Sequence, residues 1–83
     1  MSHYKKLYEK IKNNPRDVSF KEIDKLLTKV GGFTKRNPSG GSSHYTFSHP
    51  DLRDIITIPK DKPIKPFYIK EALSAFEIVK EEF

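Results

Sequence analysis

One histidine stands in a setting that suits chemistry. His44 sits inside Gly41-Ser42-Ser43-His44-Tyr45-Thr46-Phe47-Ser48-His49-Pro50, a stretch whose alternation reads as a β-strand. Imidazole has the unperturbed pKa nearest neutrality, so it accepts and returns a proton at cellular pH. RNA brings its own nucleophile, the ribose 2′-OH. A protein base need only take that proton, while cations and hydrogen-bond donors hold the charge that develops on the phosphate. Lys35, Arg36 and Lys65 are the candidate cations, and Ser42 and Ser43 the candidate donors. The plainer alternative for His44 is a strand histidine that merely faces solvent.

Other chemistry finds less support. His49 precedes Pro50 and shares the parity of Tyr45 and Phe47, which suits a structural role such as a hydrogen bond closing the turn. His3 lies near the N-terminus, where order is least expected, and is assigned nothing. His44, His49 and Asp51 make a metal site on paper, but the two histidines point to opposite faces of a strand, so no metal and no cofactor is predicted. The chain has no cysteine, which removes disulfides, thiolate metal sites and cysteine nucleophiles. Gly40-Gly41 leads into a strand rather than a helix, so no phosphate-cradling loop is formed. The serines beside His44 have no base oriented toward them. Tyr45 and Phe47 offer themselves as base-stacking aromatics, but their parity places them with the core.

The elements that must position His44 follow from periodicity. Tyr4, Leu7, Tyr8 and Ile11 lie on one face of a short helix, which Asn14-Pro15 ends. Ser19 and Glu22 have capping-box spacing, and Phe20, Ile23, Leu26, Leu27 and Val30 form the apolar stripe of a second helix that Gly31-Gly32 stops. Strands follow over 32–36, 43–49 and 53–58, separated by the turn residues of 37–41 and by Pro50-Asp51. A stiff loop with Lys60, Lys62 and Lys65 leads into a last helix over about 67–82, striped with Ile69, Ala72, Leu73, Phe76 and Val79. The expected order is α-α-β-β-β-α, an α+β fold. A three-stranded antiparallel meander has helices on one face, and its open face carries His44. One domain spans 1–83, with a core over 19–82 and an extra N-terminal helix over 1–14.

Composition narrows the function classes. Hydrophobic residues are 35% and charged residues 33% of an 83-residue chain, enough for one small core. No run approaches the ~20 apolar residues of a spanning helix, and the N-terminus lacks a signal-peptide pattern. The chain is therefore expected to be cytoplasmic, with no membrane partner. Net charge is +5, divided as +4 over residues 1–30, +4 over 31–70 and −3 over 71–83. A basic body with an acidic end points to a polyanion meeting the body; a merely well-solvated small protein is the alternative.

The motif around His44, preceded by Gly32-Phe33 and followed by Ile56-Thr57-Ile58-Pro59, resembles the HicA family of mRNA-interferase toxins. That family shows a Gly-Ser-His-x-x-Phe-like strand, then His-Pro, an apolar Thr-x-Pro strand and a closing helix. The likeness covers roughly residues 19–80. It implies a double-stranded-RNA-binding-like fold and metal-independent cleavage of mRNA by a single histidine, which maps onto His44. It also implies neutralisation by a HicB-type antitoxin, with no small-molecule cofactor. The chain departs from the pattern at Ser42, where glycine is usual, in its extra N-terminal helix, and at Lys65-Pro66-Phe67, where a Lys-Gly-Thr start is common. Two other readings stay open: a non-catalytic RNA-binding module of the same fold, and a protein-interaction domain.

Overall fold

A computed structural model describes residues 2–37, 44–60 and 64–79, with side chains from Lys5 onward. The elements are α1 (Ser2–Asn13), α2 (Phe20–Lys25) continuing into a π-helical turn (Leu26–Val30), β1 (Thr34–Arg36), β2 (His44–Ser48), β3 (Ile56–Pro59) and α3 (Pro66–Val79). The α-α-β-β-β-α order and the α+β class are as the periodicity predicts. Tyr4's side chain, the turn glycines Gly40 and Gly41, and Lys62 lie outside the described residues. No helix among those described is long and apolar enough to cross a membrane.

Among the described residues, three elements start later or earlier than expected. The first strand starts at Thr34 and the third at Ile56, because pairing runs only from Thr34 opposite Ser48 and from Ile56 opposite Phe47. The last helix begins at Pro66, whose fixed φ and missing N–H suit a first helical position. The second helix does not finish as an α-helix. The Gly31 N–H donates to the Leu26 carbonyl five residues back at 3.0 Å, and the Phe33 N–H to Leu27 at 2.9 Å.

Gly31 and Gly32 stop this helix for different reasons. A Cβ on Gly31 would sit 3.0 Å from the Leu27 carbonyl oxygen and from the rings of Phe33 and Phe76, so the backbone there is in close contact with the core. Gly32 has φ +75°, the left-handed conformation that costs an L-residue roughly 1–2 kcal/mol. Gly32→Ala should lower unfolding stability by about that amount in urea titrations, although it touches little else.

Ser19 caps α2 in both directions. Its hydroxyl accepts the Glu22 N–H at 3.2 Å, and the Glu22 carboxylate accepts the Ser19 N–H at 3.0 Å. The same carboxylate takes a bond from the Lys10 ammonium of α1. Burial alone pushes the Glu22 carboxyl up. The bonds from Lys10 and Ser19, with the Lys10 charge, outweigh it and leave the pKa lowered. A folded pKa below the unfolded one stabilises above the ordinary carboxylate range and loses that contribution as pH falls through the folded value. Glu22→Gln should therefore cost roughly 0.5–1 kcal/mol at pH 7, with the gap to wild type closing in thermal melts below about pH 4.

The sheet order is β1-β2-β3, antiparallel throughout. The register places Tyr45, Phe47, Ile56 and Ile58 on one face, where Phe47, Ile56 and Ile58 are buried with Phe20, Ile23, Leu26, Leu27, Ile69, Leu73 and Phe76. The N-terminal helix joins this core. Ile11 is fully buried, Tyr8 stacks 5.6 Å from Phe76 and donates its hydroxyl to Glu77, and Lys12 pairs with Glu77 at 3.6 Å.

Candidate functional site

His44 opens β2 on the face turned away from the helices. Strand residues alternate faces, so the register that buries Phe47 sends His44, Thr46 and Ser48 outward. His44 is exposed and stands opposite Pro59 of β3. Arg36 ends β1 opposite Thr46. That puts it on the same open face as His44, one strand over and on the diagonal, roughly 7–8 Å away at that sheet position. The Thr46 hydroxyl donates to the Arg36 carbonyl at 3.4 Å, fixing the end of β1. Arg36 is itself exposed.

The neighbouring cation goes elsewhere. Lys35 pairs with Phe47 in the register and so belongs to the helix-side face. Its ammonium forms a 2.8 Å ion pair with Asp24 of α2 and lies 5.7 Å from the centre of the Tyr45 ring. The structure thus brings Arg36 to His44's face and separates Lys35 from both. Lys65 is exposed immediately before α3, where its carbonyl accepts the Tyr68 N–H at 3.0 Å. Lys60 follows the His44-paired end of β3, and its ammonium stands 5.9 Å from the Phe20 ring. Ser42 and Ser43 lie outside the described residues.

His49 is held by the turn that follows it. Its Nδ1 accepts the Asp51 N–H at 3.0 Å, which puts the proton of a neutral ring on Nε2. The ring packs 5.2 Å from Phe33. The Leu52 N–H donates to the His49 carbonyl at 3.0 Å, so both ends of the residue serve the turn. Among the described residues, no group of three histidine or carboxylate side chains gathers as a metal site. Tyr45 packs against Phe20 at 5.0 Å, on the core side.

Two features escaped the sequence reading. Phe67, in the first turn of α3, is 66% exposed, two residues before Ile69 and so off the stripe that the helix buries. A groove of about 280 Å³ lies between residues 52–56 and α3, with Leu52, Ile55, Ala75 and Ile78 in its lining. It is at the opposite end of β3 from the His44 pairing, so it is separate from the open-face site.

An exposed imidazole and a guanidinium on the diagonal of the same open sheet face suit a substrate that brings both a phosphate and its own nucleophile. The comparisons with known proteins bear on which substrate. The family model described as the HicA toxin of bacterial toxin–antitoxin systems matches residues 20–78. That span runs from the first residue of α2 almost to the end of α3 and leaves α1 outside. The comparisons with curated proteins and with solved structures found no match.

Proposed function

Because the chain belongs to the HicA toxin family of bacterial toxin–antitoxin systems, we propose that it is an mRNA endoribonuclease with His44 as its general acid–base. In this reading it works without a metal and is held in check by a HicB-type antitoxin. The observation that carries the reading is the joint placement of His44 and Arg36 on the open face, within a fold whose family acts on RNA.

The chemistry needs few parts. His44 takes the proton from a ribose 2′-OH as that oxygen attacks the adjacent phosphorus. The P–O5′ bond breaks, the departing 5′-oxygen takes a proton from water or a second donor, and the products are a 2′,3′-cyclic phosphate and a 5′-OH. Arg36 and Lys65 stabilise the phosphate charge as it builds, and Ser42 and Ser43 donate to its free oxygens. Lys35, on the helix-side face and paired with Asp24, stands outside this set.

Fragment ends test this directly. Purified protein with EDTA and an end-labelled structured RNA should give 2′,3′-cyclic phosphate and 5′-OH ends. Cleavage that stops with EDTA would overturn the metal-free reading, and 5′-phosphate ends would rule out the 2′-OH route. Binding without any cleavage would leave the non-catalytic RNA-binding module.

A further inference from the structure

On the far side of the molecule, α2 and its π-turn carry a line of cations with no assigned role. Lys21, Lys25 and Lys29 recur every fourth residue, and all three are exposed. The acids of the same helix are engaged elsewhere. Glu22 is held by Ser19 and Lys10, and Asp24 by Lys35 and, through its carbonyl, by the Thr28 hydroxyl at 2.7 Å. None of the three lysines has an ion-pair partner among the described residues.

The π-turn sharpens this line. Four residues of α-helix overshoot one turn by about 40°, so Lys25 is displaced from Lys21 around the helix. A π-turn closes on the fifth residue rather than the fourth, so four residues across it fall short of a turn. The shortfall between Lys25 and Lys29 works against the earlier overshoot, so the three lysines drift less around the helix than an all-α segment would carry them. Such turns are rare and occur often at functional sites. Ile23, Leu26 and Leu27 are buried beneath this ridge against the inner face of the sheet, so the lysines point away from it. His44 is on the sheet's other face.

We infer that Lys21, Lys25 and Lys29 form a docking ridge for the phosphate backbone of double-stranded RNA, on the side of the molecule opposite His44. Three exposed cations recurring about once per turn on a helix match the regular phosphates of a duplex, which is recognised mostly by shape and backbone. The outer face of residues 21–29 carries no aromatic side chain, the stacking platform that single strands use. The choice of RNA rests on the nuclease reading, whereas the geometry of the ridge does not involve His44. An RNA held on the ridge leaves the open face free, so the protein engages a folded region with one side and cuts an unpaired one with the other.

The test is binding of a fluorescent 20-base-pair RNA duplex with 2′-O-methyl sugars, which removes the nucleophile and keeps the phosphates. The triple variant Lys21→Gln/Lys25→Gln/Lys29→Gln should weaken binding by at least ~10-fold. It should also make the slope of log K against log salt shallower by about 2–3, since each phosphate contact contributes about 0.9. Lys5→Gln/Arg53→Gln/Lys70→Gln removes the same charge elsewhere and should change affinity by less than about 3-fold. Equal losses from the two triples, or none from the ridge triple, would overturn the ridge. Glutamine keeps the helix propensity of lysine, and circular dichroism confirms the fold. Wild-type cleavage of a short unpaired RNA separates the two ideas. If it fails while duplex binding still depends on the ridge, the nuclease reading falls and the ridge stands.

Discussion

His44→Ala should lower RNA cleavage by ~10²–10⁴-fold while shifting the melting temperature by no more than about 3 °C. The first number follows from the loss of the group that moves the 2′-OH proton. The second follows from placement: His44 is exposed at the start of β2 on the open face, and substitutions at such positions usually stay within ±0.5 kcal/mol. His44→Gln makes the sharper comparison, because it keeps a polar side chain able to hydrogen-bond RNA but does not transfer a proton near neutrality. Both variants should bind RNA as wild type does and fail to cut it. The measurement is initial cleavage rates on one structured RNA with EDTA present, beside thermal melts by circular dichroism. A folded His44→Ala that cuts at the wild-type rate would remove His44 from the mechanism. A large drop in melting temperature would instead make His44 a structural residue whose loss of activity says nothing about catalysis.

The site was legible in the sequence where strict alternation ran long enough. Five residues of β2 alternate cleanly around Phe47, so the faces of His44 and Phe47 follow without tertiary knowledge. The Ser19–Glu22 cap is equally local. Lys35 and Arg36 were not separable that way. β1 has three residues, all exposed, and its inward side is set only by the register of Lys35 against Phe47 and Arg36 against Thr46. The β-branched run around Ile55 read as an earlier start to the third strand. However, pairing with β2 begins at Ile56 opposite Phe47, and β2 itself gives way to the His49-Pro50-Asp51 turn shortly after. Nothing in Leu26–Val30 announces a π-turn either. It accompanies the seating of Gly31 against Phe33 and Phe76, which are contacts between distant parts of the chain.

Phe47→Ala is the stability counterpart of the His44 experiment, on the same strand and the opposite face. Phe47 is fully buried in the middle strand, paired with Lys35 on one side and Ile56 on the other, with the Phe20 ring 6.2 Å away. Truncating a buried phenylalanine costs about 3–5 kcal/mol. The whole stability of a chain of 83 residues is only about 4–12 kcal/mol. In urea the midpoint should therefore fall by about 2–5 M at a slope near 1–1.5 kcal/mol/M, or the folded baseline should vanish. Phe47→Leu, closer in volume, should retain most of the stability. The two losses of function then differ in kind. Phe47→Ala loses activity in proportion to its unfolded fraction and regains some when bound RNA stabilises the fold, whereas folded His44→Ala regains none. The pair also tests the register itself. A one-residue slip of β2 would exchange the two faces, making Phe47→Ala tolerable and His44→Ala destabilising, so that reversed pattern would overturn both the core and the site.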